Sequence, residues 1–250
     1  MYKNPDFIKR VIGLRTLNFT ISDFTGDSGI KYKTDIQNLF SNYYFNNSID
    51  FEKISIGSVN KNELNALIRR IKTKNLTKFN YIYRYPVTAN RFGPGEILLY
   101  LLLKDAALGG FTNGVDIING SEKYEVKAAR ISLNKISSNY NLGGKISREN
   151  ELIVELSNLC KKHGIQGNST SINTRTIDNL RNNYSSEFEP IESRYASTAA
   201  SEYFKNDIIF INNNDNNDKG LIVSIKRPVA SDIQIERVSE GRIKPAINLS

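Results

Sequence analysis

Residues 115–131 read VDIINGSEKYEVKAARI, and the pattern of this stretch is the main basis for predicting the fold. Two short apolar runs flank Asn119-Gly120, a dipeptide typical of tight β-turns, so the stretch predicts a β-hairpin. The same hairpin carries Asp116, Glu125 and Lys127 near its centre. If this hairpin packs in the core, its charged groups need partners, because burying an unpaired charge costs free energy.

Strand geometry predicts that these three side chains converge. Glu125 and Lys127 are two residues apart on one strand and share a face, while Asp116 lies on the partner strand across the turn. The opposite face carries three residues that we expect to pack into the core: Tyr124, Val126 and Ala128. A bound divalent cation would offset the cost of the two carboxylates. Hard oxygen donors suit Mg²⁺ or Mn²⁺, and the ammonium could hold a phosphate or orient a water.

The run GPGEILLYLLLKDAALGG at 93–110 precedes the hairpin and predicts a buried helix of about four turns. Pro94 suits its first turn, and Gly109-Gly110 suits its end. Glu96 falls in the first turn, where a carboxylate suits the helix dipole. It is therefore a fourth candidate for the site, able to bind a water on the metal or a second ion.

The remaining segments predict further helices and strands. Helices are expected at 60–75 with an Asn60 cap, from Ser147 to His163 with a Ser147 cap and closure at Gly164, and near 192–204. Strands are expected at 78–85, 207–213 and 221–227, with a last hairpin at 232–249 and a loop at 164–176. This order predicts an α/β or α+β fold with a mixed sheet flanked by helices. We expect one compact unit, with an N-terminal basic and aromatic region at 1–92 and a core at 93–250.

The charge of the chain predicts a polyanionic partner. The chain has 34 basic and 26 acidic residues, a net charge of +8, and residues 61–91 hold eight basic residues and one acidic residue. Such a basic face favours nucleic acid over an anionic membrane surface, although a solvated helix face is the alternative interpretation. The alternating aromatics from Phe79 to Tyr85 predict either core packing or a platform for stacking bases.

Other features exclude some classes of protein. The longest apolar run, ILLYLLL at 97–103, is too short to span a bilayer, so we expect no membrane association. One cysteine and one histidine exclude an internal disulfide and a Cys/His zinc cluster. His163 is predicted to cap a helix end and Cys160 to pack as a small apolar residue.

The arrangement resembles the PD-(D/E)XK nuclease superfamily, whose fold is restriction-endonuclease-like. The matching residues are Glu96 on the leading helix, then Asp116 followed after eight residues by Glu125-Val126-Lys127, with Val115 in place of the proline. The strings GPGE, GVDI and YEVKAAR are also similar to nucleases encoded by tailed phages. The resemblance covers about residues 93–131, with a continuation through the helix at 147–163.

The resemblance implies Mg²⁺-dependent hydrolysis of DNA phosphodiesters. Asp116, Glu125 and the Val126 carbonyl would bind the metal, Lys127 would position the attacking water, and Glu96 would hold a water on the metal or a second Mg²⁺. The predicted DNA contacts are Arg69, Arg70, Lys72, Lys74, Lys78, Arg84, Arg91 and Arg130. Three further cations, Lys135, Lys145 and Arg148, could touch phosphates beside the cut.

Several alternatives stay open from the sequence. Glu125 and Lys127 could be solvated residues of a surface hairpin, and the chain could be a DNA-binding or phage structural protein that keeps the fold without cutting. RNA cleavage or a peripheral membrane role is a third alternative. The resemblance implies a cytoplasmic or virion-associated protein, and a homodimer is compatible with the sequence.

Overall fold

The computed structural model describes residues 26–77, 79–80, 93–109, 115–132, 135–136, 145–214 and 218–249. These residues form a mixed α/β protein, which confirms the predicted class. The helices of the described residues are α1 (Gly26–Lys31), α2 (Lys33–Phe45), α3 (Phe51–Ile54), α4 (Lys61–Lys74), α5 (Pro94–Leu102), α6 (Glu149–Lys162), α7 (Thr174–Asn183) and α8 (Ser185–Glu202). The strands are β1 (Ala106–Leu108), β2 (Ile117–Asn119), β3 (Glu122–Ala129), β4 (Ile131–Ser132), β5 (Lys135–Ile136), β6 (Ser171–Ile172), β7 (Asp207–Asn212), β8 (Ile222–Lys226), β9 (Ile233–Ser239) and β10 (Arg242–Asn248).

The chain divides into two compact units. The first is Met1–Ala128 with Ile208–Ile225, and the second is Ala129–Asp207 with Lys226–Ser250. The sequence-based division at residues 92 and 93 differs from this one. The reason is that α2, α4, α5 and the sheet of the first unit contribute to one hydrophobic core, with Phe40, Ile68, Leu99 and Ile209 among its members.

The sheet of the first unit has the order β1-β2-β3-β7-β8. β2 pairs antiparallel with both β1 and β3. The register joins Asn119 to Glu122, so a two-residue loop connects β2 to β3, and Gly120 takes a φ of +61° that favours glycine. The predicted hairpin is confirmed, as are the strands that form β7 and β8.

Helix α5 is shorter than predicted and spans nine residues. Ala106–Leu108, expected in its last turn, instead forms β1 and pairs with Ile117–Asn119. The apolar run of this segment has no polar side to mark where the helix stops, so its end depends on tertiary partners. One of these is the buried Lys33 ammonium, which donates to the carbonyls of Tyr100 and Ala106 and thereby binds the chain at the helix-to-strand transition.

Helix α4 begins as predicted. The Asn60 side chain caps it by accepting from the N–H groups of Asn62 and Glu63. The strand predicted at 78–85 is wrong at Phe79, whose N–H donates to the Asn75 carbonyl at 3.0 Å in a helical turn. The Phe79 ring is fully buried and therefore packs in the core. Residues 81–92 lie outside the described part of the chain, so the rest of that strand stays a prediction.

The second unit contains an antiparallel sheet with the order β4-β5-β10-β9-β6, together with α6, α7 and α8. The predicted tail hairpin is confirmed as β9 and β10. Its turn places Glu240 and Gly241 at φ values of 55° and 63°.

Three predictions in the second unit are wrong in part. The N-cap of α6 is Arg148 and not Ser147; Arg148 has a φ of 61° and makes no side-chain cap, and the N–H of Ser147 donates to the Glu202 carboxylate. The loop at 164–176 contains β6 and the start of α7, a polar helix capped by the Asn173 side chain. Helix α8 starts at Ser185, well before the predicted 192. Gly164 does close α6, with a φ of +63°.

Candidate active site

The four residues of the predicted site lie in the first unit. Asp116 comes directly before β2, Glu125 and Lys127 lie on β3, and Glu96 is the third residue of α5. The alternation predicted for β3 holds through the site, because Tyr124 and Val126 are buried in the core while Glu125 and Lys127 are only partly buried. The prediction for Ala128 is wrong, since that residue is exposed.

Lys127 and Glu125 form an ion pair on the polar face of β3. The Lys127 Nζ lies 2.5 Å from Glu125 Oε1, with 32% of the lysine side chain and 16% of the glutamate side chain exposed. The ion pair is therefore mostly buried but keeps some contact with solvent. Burial raises the pKa of Glu125 above its ordinary value, whereas the Lys127 charge opposes that rise and the nearby Asp116 charge adds to it.

Asp116 is bound to the strand that carries the other two residues. Its Oδ2 accepts the N–H of Val126 at 2.7 Å, and its own N–H donates to the Tyr124 carbonyl at 2.8 Å. Burial raises the pKa of Asp116, while the Val126 N–H and the Lys127 charge act against this. In a strand the N–H and C=O of one residue point to the same edge. The Val126 carbonyl is therefore directed to the side on which Asp116 lies.

Glu96 approaches the same group of charges from the first turn of α5. The pKa of Glu96 is raised to about 8, chiefly by burial and secondly by the Asp116 charge, while the Gly93 N–H and the Lys127 charge act against the rise. Gly93 is the N-cap of α5, so a glutamate at the third position that accepts the cap N–H forms half of a capping box. Glu96 thus has a structural partner as well as a place beside Asp116.

Electrostatic contact joins all four residues. Asp116 repels both Glu96 and Glu125, and Lys127 attracts all three carboxylates. When every group is ionised, three negative charges face one positive charge in a partly desolvated place. Burial is the main reason that the pKa values of all three carboxyls are raised, and the charge of Asp116 adds to the rise for Glu96 and Glu125.

The donor set suits a hard divalent cation. Asp116 and Glu125 offer carboxylate oxygens, and the Val126 carbonyl lies on the same edge as Asp116, which is the donor chemistry that Mg²⁺ and Mn²⁺ prefer. No group of three or more His, Cys, Asp or Glu side chains suited to hold a metal occurs in the part of the chain that the structure describes. A cation here would therefore depend on two carboxylates and one backbone carbonyl.

Two glycines that the sequence indicated only as helix boundaries, Gly95 and Gly109, allow close contacts beside this site. A Cβ on Gly95 would lie 2.7 Å from Ile211 Cδ1 and 3.3 Å from Val126 Cγ1. A Cβ on Gly109 would lie 1.7 Å from the Val115 carbonyl oxygen, directly before Asp116. The string GPGE indicated only the start of a helix. The sequence could not show the close contact at Gly95, because contacts between segments distant in the chain leave no local pattern.

The cations predicted to contact DNA fall into three groups. Arg69, Arg70 and Lys74 are exposed on α4, and Arg130 is exposed in the second unit. Lys72 is partly buried instead, and its ammonium donates to the Lys219 carbonyl at 3.1 Å and lies over the Phe79 ring. Three of the predicted contacts, Lys78, Arg84 and Arg91, lie outside the described residues.

Three of the other residues singled out from the sequence, Lys145, Arg148 and His163, have structural partners. Lys145 donates to Asn150, Arg148 pairs with Glu151, and Lys135 is exposed. His163 is the C-cap residue of α6 and pairs with Glu187, in agreement with a role at the helix end. Cys160 is fully buried, as predicted.

Comparison with known proteins returned no relative: no protein-family model, curated protein or solved structure matches this chain. Within the described residues, no helix has the length and hydrophobicity that crossing a lipid bilayer requires.

Proposed function

We propose that this chain is a Mg²⁺-dependent endonuclease, with Mn²⁺ as an alternative ion, that hydrolyses DNA phosphodiester bonds. One observation carries the proposal: three partly buried carboxyls with raised pKa values interact electrostatically with the ammonium of Lys127, and one of them, Glu125, forms an ion pair with it. Perturbed acids clustered with a cation are typical of catalytic sites. The resemblance of these residues to PD-(D/E)XK nucleases supports the same conclusion.

Both the negative charge of these residues and the type of their donor atoms suit a divalent ion. Asp116, Glu125 and the Val126 carbonyl would hold it, and Glu96 would bind in the outer shell. When bound, Mg²⁺ supplies Lewis-acid chemistry: it lowers the pKa of a coordinated water and offsets charge that develops on the phosphate. Because the ion favours the ionised acids, its binding should release protons from the site near neutral pH.

The side chains of the chain have distinct roles in this proposal. Lys127, which pairs with Glu125 at 2.5 Å, would orient a water or donate to a phosphate oxygen that gains charge. Glu96, with a pKa of about 8, can take or give a proton at physiological pH. The exposed cations of α4, Arg69 and Arg70 above all, would contact backbone phosphates without reading sequence.

The test is conversion of supercoiled plasmid to nicked or linear forms in the presence of Mg²⁺. We expect Lys127→Ala to lose cleavage by at least ~100-fold, in the range of losses seen when a group that stabilises the transition state is removed. The matched control is Lys123→Ala, an exposed lysine on the same strand, which should keep the wild-type rate. Equal cleavage by the Lys127 variant and wild type would refute the role of Lys127, and no cleavage by wild type with Mg²⁺ or Mn²⁺ would refute the proposal.

A second candidate is a non-catalytic DNA-binding or phage structural protein. One observation favours it: each carboxylate already has an internal partner, namely Lys127 for Glu125, the Val126 N–H for Asp116 and the Gly93 N–H for Glu96. Titration calorimetry separates the two candidates. Binding of duplex DNA with no measurable affinity for Mg²⁺ or Mn²⁺ would favour the second.

A further inference from the structure

The first turn of α5 fits against the site only because residue 95 is glycine. A Cβ there would stand 2.7 Å from Ile211 Cδ1, a distance that real Cβ contacts do not show, and 3.3 Å from Val126 Cγ1. Ile211 lies on β7 and Val126 lies on β3, between Glu125 and Lys127. The backbone of α5 therefore rests directly on the two neighbouring strands, one residue before Glu96.

The atom that a Cβ would meet first, Ile211 Cδ1, is the end of a side chain, and it has little room to turn away because Ile211 is fully buried in a close-packed core. The backbone of the two strands is held in place as well. β3 lies between β2 and β7 in the middle of the sheet, with β8 beyond β7, so main-chain hydrogen bonds hold both sides of β3. Ile211 is fully buried, and Val126 is 8% exposed. The first turn of a helix has fewer constraints, since its first N–H groups lack partners within the helix. A side chain at position 95 would therefore displace the helix start, and Glu96 with it.

We propose that Gly95 is a positioning residue. It sets the distance of the Glu96 carboxylate from Asp116 and Lys127 by letting the first turn of α5 pack closely against Val126 and Ile211, and this packing is called the seating of α5. The effect of Gly95 on catalysis rests on the proposed function, but the seating of α5 is a property of the metal-free protein. A misplacement of about 1 Å in a catalytic arrangement can cost on the order of 100-fold in rate.

The experiment compares plasmid cleavage by Gly95→Ala with cleavage by Gly57→Ala. Gly57 has open space where its Cβ would be and lies in the same unit, so it is the matched control. We expect Gly95→Ala to lose between ~10-fold and ~100-fold in rate and Gly57→Ala to match wild type. Ile211→Val removes the very atom at 2.7 Å, so adding it to Gly95→Ala should restore most of the rate.

A double-mutant cycle distinguishes positioning from general damage to the fold. If Gly95 acts through Glu96, then Gly95→Ala should add little to the loss already caused by Glu96→Gln. Multiplied losses in the double variant would overturn the inference. A wild-type rate in Gly95→Ala would overturn it as well.

A readout without DNA or metal keeps the inference separate from the proposed function. The ¹³C carboxyl signal of Glu96, recorded at one pH in metal-free protein, should move in Gly95→Ala, stay unchanged in Gly57→Ala and return in Gly95→Ala/Ile211→Val. If wild type cuts no DNA but these shifts occur, the nuclease proposal fails and the seating stands. An unmoved Glu96 signal in folded Gly95→Ala refutes the seating. If Gly95→Ala alone does not fold, the variant with Ile211→Val carries the test: a Glu96 signal that matches wild type supports the inference, and a moved signal, or lost cleavage with an unmoved signal, overturns it.

Discussion

Replacing Glu96 by glutamine should change how the stability of the metal-free protein depends on pH. Burial beside Asp116 raises the pKa of Glu96 from 4.5 to about 8 in the folded state. Between these two values the folded state keeps a proton that the unfolded state has lost. Because the folded state binds more protons there, the free energy of unfolding must fall as pH rises through this window. Glutamine has no proton to lose, so the variant should lack this part of the slope.

The size of the effect follows from the same two values. One extra proton on the folded state changes the free energy of unfolding by about 1.4 kcal/mol per pH unit. From pH 5 to pH 7 the loss caused by Glu96 is therefore roughly 2 kcal/mol, since the unfolded carboxyl is already mostly ionised at pH 5. Asp116 and Glu125 contribute in the same direction, because burial also raises their pKa values. The quantity to compare is the difference in slope between wild type and variant.

Urea titrations at pH 5, 6 and 7 measure this slope, with the NMR amide signals of buried β7 residues as the probe of the first unit. The matched control is Glu63→Gln, because Glu63 is also the third residue of its helix but is exposed to solvent. We expect the control to keep the wild-type slope and Glu96→Gln to flatten it. Equal slopes in all three proteins would show that Glu96 ionises like a surface carboxylate, and the reasoning about the desolvated cluster would fail.

Three further predictions concern polar groups that are buried or partly buried. Asn65→Ala should destabilise the first unit by about 3 kcal/mol in urea unfolding, because the Asn65 amide binds both the N–H and the C=O of Ile222 at 2.7 Å and would leave two buried groups unpaired. Burial lowers the pKa of Lys33 from 10.5 to about 7, so between pH 7 and pH 9 the unfolded state binds more protons than the folded state. The free energy of unfolding of wild type should therefore rise over this pH range, and Lys33→Met should abolish that rise in urea unfolding. Glu192→Ala should cost the second unit about 2 kcal/mol, since Glu192 accepts the Ile235 N–H at 2.8 Å; a loss under ~0.5 kcal/mol, the size of an ordinary surface substitution, would contradict this.

Features set by neighbours in the chain could be predicted from the sequence alone. The hairpin around Gly120, the Asn60 cap and the tail hairpin were all evident, because turns and caps depend on a few adjacent residues. The face shared by Glu125 and Lys127 was evident for the same reason, since strand alternation is a property of the backbone. Asp116 could be paired with them because a two-residue turn leaves little freedom of register.

Features that depend on contacts between distant segments of the chain became evident only in the folded protein. The end of α5 is set by β1 pairing and by Lys33, which lies more than sixty residues before it in the chain, and an apolar run contains no sign of either. The seating of Gly95 against Ile211 joins residues more than a hundred positions apart. The raised pKa of Glu96 likewise follows from desolvation and from the Asp116 charge. Short-range geometry therefore determined which residues could form a site, whereas packing determined how close they lie and how strongly they hold their protons.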